Sequence, residues 1–74
     1  MPKLPLISGA EAVQAFARAG WETRRQVGSH VTMEKEGEIA TLSIQQHREL
    51  GRGLLRSLIR DAGLTVSEFI AFLD

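Results

Sequence analysis

Two short runs of alternating residues do most to limit how this chain can fold: His30 to Glu36 and Ile39 to Ile44, separated by Gly37-Glu38. Apolar and polar residues in alternation mark a strand with one buried face. A Gly-X pair between two such runs predicts a two-residue hairpin loop, because glycine tolerates a positive φ at the first turn position. The loop fixes a register that starts with Glu36 facing Ile39 and sets the apolar pairs, Met33 with Leu42 and Val31 with Ile44, on one face. Glu34 with Thr41, Thr32 with Ser43, and His30 with Gln45 then share the other. A slip of one residue sets Val31 and Met33 against Ser43 and Thr41, so the first register is expected. The sheet has one dry face and one wet face, and the wet face carries a histidine.

The flanking segments supply the rest of a layer. Ser8-Gly9-Ala10-Glu11 has the capping-box pattern, followed by Val13, Phe16 and Ala17 at helical spacing and by Gly20 as a stop. A helix is expected over about residues 8–19. Trp21 to Val27, with glycine just outside each end, reads as the first strand of the sheet, ahead of the two already described. Trp21 itself is expected in the core, anchoring the first helix to the sheet. After Gly53, an apolar stripe of Leu55, Leu58, Ile59 and Ala62 predicts a second helix ending at Gly63. Thr65-Val66-Ser67-Glu68 opens a short last helix with Val66, Phe69, Ile70 and Leu73 inward. Whether Phe69, Ile70, Phe72 and Leu73 are all buried or partly kept for a partner stays open. The fold class is α+β, with helices on one face of a three-stranded antiparallel sheet.

A length of 74 residues allows one domain, taken as 1–74. Without cysteine there are no disulfides, thiolate metal sites or thiol nucleophiles, which fits a reducing cytoplasm. His30 and His47 are the only histidines, so neither a zinc site nor any other metal is expected. No apolar run approaches the roughly 20 residues of a membrane span, and the start is too short for a signal-peptide core. A soluble, cytoplasmic protein is expected. Nine basic residues balance nine acidic ones, which counts against a strongly non-specific RNA binder. The charges are uneven, with Arg48, Arg52, Arg56 and Arg60 set against Glu49 alone between positions 48 and 60. Arg52, Arg56 and Arg60 form one helical stripe, either a track for an RNA backbone or acidic partner, or simply the solvated face of a helix. No P-loop, dinucleotide fingerprint or nucleophile elbow is present, and no cofactor is expected.

Two histidines on one wet face are candidates for general acid and base near neutral pH. If the third strand ran on to His47, its ring would be a diagonal neighbour of His30 at about 7–8 Å. Spacing alone does not separate this pair from two ordinary surface histidines. Gly28-Ser29 is either a plain hairpin turn or a turn whose amide and hydroxyl meet an anion. Arg24, if Val27 points into the core, shares the wet face with Gln26 and His30 and can hold a phosphate by paired hydrogen bonds. Its alternative is a solvated strand arginine.

Beyond these physical readings, the chain resembles the HicA toxins, small bacterial or archaeal ribonucleases paired with HicB antitoxins. The resemblance rests on Ser8-Gly9, Ala19-Gly20-Trp21, Arg25-Gln26-Val27-Gly28-Ser29-His30 and Ile44-Gln45-Gln46-His47. It continues through Gly53-Leu54-Leu55-Arg56-Ser57-Leu58 and Ala62-Gly63-Leu64-Thr65. It implies a fold like the double-stranded RNA-binding domain, a catalytic His30, cleavage of mRNA without a required metal, and inhibition by a HicB-like antitoxin. Two departures stand out. Family members often carry a second histidine where this chain has Val31, and a Pro-x-His where it has Gln45-Gln46-His47. The function expected is therefore a metal-independent endoribonuclease toxin of a toxin–antitoxin system. His30 acts on the proton, Arg24, Gly28 and Ser29 act on the phosphate, and His47 supports them. The alternatives are a non-catalytic RNA- or protein-binding module of the same fold and a solitary relative whose toxic role has been lost.

Overall fold

The structure is a computed structural model that describes residues 3–73; Met1, Pro2 and Asp74 of the 1–74 span lie outside the described residues. Its elements are α1 (Gly9–Arg18), β1 (Glu22–Val27), β2 (His30–Glu34), β3 (Leu42–Gln45), α2 (Arg52–Asp61) and α3 (Val66–Ala71). This is the expected α+β order, with an antiparallel sheet arranged β1-β2-β3.

The β2–β3 register is the expected one. Met33 pairs with Leu42, Thr32 with Ser43, Val31 with Ile44 and His30 with Gln45. Val31, Met33, Leu42 and Ile44 are all buried, so the apolar alternation does set the dry face. The connection differs from expectation. β2 stops at Glu34, and the Glu38 amide donates to the Lys35 carbonyl at 3.0 Å. That closes a four-residue turn with Gly37, φ 87°, in its third position, where type II turns require glycine. The Lys35 ammonium donates to the Ala19 carbonyl at 3.0 Å, tying this segment to the end of α1 rather than to β3. Glu36 and Ile39 are consequently unpaired, and Ile39 is fully exposed. The two-residue Gly-X loop occurs one connection earlier, at Gly28-Ser29. There Val27 pairs with His30, and Gly28 has φ 59° at the first turn position.

Both capping boxes form. The Ser8 hydroxyl accepts from the Glu11 amide at 3.1 Å and the Glu11 carboxylate accepts from the Ser8 amide at 2.9 Å. Thr65 and Glu68 repeat the pattern at 3.1 and 2.8 Å. α2 begins at Arg52, with Gly51 at its cap and Gly53 already inside.

The helices cover the dry face only. Phe16 of α1, Leu55, Leu58 and Ile59 of α2, and Phe69 of α3 close over the sheet, and Trp21 is buried as expected. The Phe16 and Phe69 rings meet at 4.9 Å with a 47° tilt, joining the first helix to the last. Phe72 and Leu73 are partly buried against this core. The N-terminal segment adds buried Leu4 and Ile7, which carry no helix or strand pattern in the sequence.

Two substitutions test this packing. Phe69→Ala removes a fully buried ring and is expected to cost about 3–5 kcal/mol, a large share of the stability of a small domain. Urea denaturation followed by circular dichroism reads it. Gly53 is helical, and a Cβ there meets nothing within 4 Å. Gly53→Ala is expected to raise stability by about 0.4–1 kcal/mol, seen as a higher urea midpoint at unchanged slope.

Candidate active site on the uncovered sheet face

The register that buries Val31 and Met33 turns His30, Thr32 and Glu34 to the opposite face, which no helix covers. His30 is exposed at the start of β2, immediately after the Gly28-Ser29 turn. Directly opposed residues of neighbouring strands lie on the same face. Gln45 therefore flanks His30 from β3, and Val27 flanks it from β1.

That placement overturns the premise used for Arg24. Val27 does not enter the core; it is 64% exposed, on the face of His30. A bulge between Thr23 and Arg25 leaves Arg24 without a ladder partner and puts Arg25 opposite Thr32. An extra residue resets the alternation of a strand, so Arg24 and Arg25 do not take opposite faces. Arg25, opposite Thr32, stands two ladder pairs from His30 on the wet face. Gln26 lies opposite Val31, on the other face, and its side-chain amide donates to the Gly28 carbonyl at 3.3 Å, bracing the turn. Arg24 is three residues from Val27 along the strand, about 10 Å. It is held in ion pairs with Glu22 at 3.3 Å and Glu34 at 3.5 Å. These exposed pairs add little stability, but they direct the guanidinium toward the acidic end of the sheet. A polar cleft of about 330 Å³ opens there, lined by Arg24, Glu34, Lys35, Glu36, Glu38 and Thr41 among others, and it does not include His30.

β3 ends at Gln45, so His47 is not a ladder neighbour of His30. It is nonetheless held close to the turn by the backbone. The Gln46 amide donates to the Ser29 carbonyl at 2.6 Å, and the His47 carbonyl accepts from the Gly9 amide at 2.9 Å. Two further bonds anchor the chain between His47 and α2, Leu50 N–H to the Ile7 carbonyl at 2.8 Å and the Arg52 Nε to the Leu4 carbonyl at 3.2 Å. The His47 side chain is exposed. Gly28, Ser29, His30, Gln45 and His47 are thus brought together, and Arg24 is not. Arg52 serves as a tether, which leaves Arg56 and Arg60 of the helical stripe exposed on the helix layer, away from His30. Among the described residues no group of three or more His, Asp or Glu side chains is placed to hold a metal ion, and no helix is long and apolar enough to cross a membrane.

Against known proteins, the profile of the HicA toxin of bacterial toxin-antitoxin matches residues 9–64. The chain belongs to the HicA toxin family. The HicA match runs from the first residue of α1 past the end of α2, so it contains the turn, both histidines and the bulge, while α3 lies beyond it. The fold is similar to a chain of a solved "Toxin-Antitoxin complex from Streptococcus pneumoniae", with 36% identity and a TM-score of 0.68. That similarity covers 78% of this chain and 98% of the streptococcal one. No curated protein sequence matches this HicA chain.

Of the site residues, Arg25 was given no role by sequence reasoning, and Gln26 was expected on the wet face, where the register instead sets it opposite Val31. The signal that finds Arg25 is a bulge, and a single strand sequence carries no mark of one. Gly9 is likewise invisible as a contact, because its meaning lies in a backbone thirty-six residues away.

Proposed function

We propose that this protein is the toxin of a toxin–antitoxin pair and cleaves mRNA without a metal, using His30 as the proton-transferring residue. The observation that carries the reading is the position of His30. It sits on the open face of the sheet, with its backbone held by a hairpin turn and the Arg25 cation two ladder pairs away on the same face. RNA brings its own nucleophile, the 2′-hydroxyl. The protein then has to accept a proton, return one to the leaving oxygen and steady the charge on the phosphate. His30 takes the first or second of these tasks and His47 the complementary one. Ser29 offers a hydroxyl donor and Gly28 an unobstructed backbone, since nothing lies within 4 Å of a Cβ built there.

The phosphate contact expected of Arg24 passes to Arg25. Arg24 is already engaged by two carboxylates, whereas Arg25 is exposed and shares the face of His30. Exposed Val27 beside His30 gives a base an apolar surface to pack on. The partner proposed is a HicB-like antitoxin, supported by the family and by a structural relative described as a toxin–antitoxin complex. A HicB-like reading frame beside this one is expected, and the cytoplasm is the place of action proposed for both.

The neutral net charge favours a second reading, a module of the same fold that binds RNA or a protein without cutting. Pure, partner-free protein that holds RNA intact over hours with measurable affinity supports that reading against the first.

Expression of the parent and of His30→Ala, scored for growth arrest and for cleavage of RNA in vitro, tests the main assignment. Loss of about 10²–10⁴-fold in cleavage is expected; a variant as active as the parent shows that His30 is not the catalytic residue. Arg25→Ala is expected to reduce kcat/KM by about 10–100-fold, the value of a charge-assisted contact. Arg24→Ala should stay within about fivefold of the parent, in keeping with exposed ion pairs. The reverse order restores the phosphate role to Arg24.

A further inference from the structure

Gly9 occupies the first helical position of α1, just after the Ser8 cap. Its φ is not positive, so no left-handed turn calls for glycine there. Glycine is also a poorer helix former than alanine. The reason for it is space. A Cβ on Gly9 falls against the Gln45 carbonyl oxygen, 2.8 Å from Gln46 Cα and 2.9 Å from the Gln45 carbonyl carbon. All three are backbone atoms, so no side-chain rotation relieves the clash.

The backbone that Gly9 touches is the backbone that carries the site. Gln45 is the ladder partner of His30. The Gln46 amide holds the Ser29 carbonyl, one residue before His30, at 2.6 Å. The His47 carbonyl accepts from Gly9 itself at 2.9 Å. Segment 45–47 is therefore gripped between the first turn of α1 on one side and the Gly28-Ser29 turn on the other. Gly9 is where α1 meets this segment with no room for a side chain.

We infer that Gly9 is a positioning residue: the close approach it permits sets the placement of His47 relative to His30. Its bearing on cleavage rests on the RNA-cleaving reading above. A Cβ at position 9 pushes segment 45–47 away by on the order of 1 Å, and a displacement of that size at reacting groups costs about 10²-fold in rate. The loss falls on kcat rather than KM, because the exposed faces that meet RNA, including Arg25 and Val27, stay on β1.

The experiment compares Gly9→Ala with Gly53→Ala, the same change at a helical glycine with open space around it. Both are examined at a temperature where circular dichroism shows them folded. Gly9→Ala is expected to lower kcat about 10–100-fold with KM little changed. It should also shift the ring carbon–proton resonances of His30 and His47 and the amide resonances of Ser29 and Gln46. Gly53→Ala is expected to move none of these. A folded Gly9→Ala protein whose histidine resonances match the parent's overturns the inference. If the parent itself does not cleave RNA, the function proposed above fails, and the resonances alone decide the role of Gly9. If Gly9→Ala does not fold, amide exchange in the parent decides. The Gly9 and Gln46 amides are expected to exchange at matched rates as one opening unit, and independent rates overturn the inference.

Discussion

Burial of one sheet face governs the rest of the molecule. Val31 and Met33 on β2, and Leu42 and Ile44 on β3, are withdrawn from water together, and only one register of the two strands does this. Each such side chain contributes about 1.5–3 kcal/mol when fully buried. A one-residue slip therefore loses more than a chain of this size can spare. The same constraint that makes the core also turns His30 outward. The candidate catalytic residue needs no separate device to face solvent, since it inherits its direction from Val31.

β1 follows a different logic. All its residues are exposed, and its pairing with β2, the Gly28-Ser29 turn and the buried Trp21 just before it hold it in place. A strand not pinned by burial tolerates a bulge, and here the bulge falls at Arg24. Its effect is chemical. It separates two adjacent arginines into one engaged by Glu22 and Glu34 and one, opposite Thr32 on the face of His30, with no ion pair among the described residues. With no net charge on the chain, this local sorting matters more to an anionic substrate than the total does.

The parts of this arrangement legible in the sequence are those governed by periodicity and caps. The β2–β3 register, both capping boxes and the inward face of α2 follow from alternation, helical spacing and the Ser-x-x-Glu and Thr-x-x-Glu patterns. α1 follows its expected stripe at Phe16 and in part at Val13, with Ala17 exposed and Ala12 and Ala15 buried. The site was legible where it depends on the same rule, as for His30 opposite Gln45. It was not legible where it depends on an irregularity. The turn at Lys35–Glu38 hinges on a lysine reaching a distant helix end. The bulge at Arg24 hinges on an edge strand with no burial pattern. Leu4 and Ile7 are core residues in a segment with no repeat to read.

The departure at Gln45 shows how a site built on backbone contacts absorbs side-chain change. Hydrogen bonds alternate along an antiparallel strand. Because the Gln46 amide points to Ser29, the amide and carbonyl of Gln45 point away from β2, and the carbonyl lies against Gly9. A proline at this position, as the Pro-x-His of the resemblance implies, would remove an N–H that the ladder does not use. Glutamine keeps that N–H, and the bond between Gln46 and Ser29 is present either way. Val31 obeys the same principle in reverse, since it is buried and a second histidine there would have to enter the core. What the two positions share is that neither side chain fixes the turn. The Gly28-Ser29 hairpin, the Gln46 amide and the close seat of α1 at Gly9 do so, and all three act through the main chain.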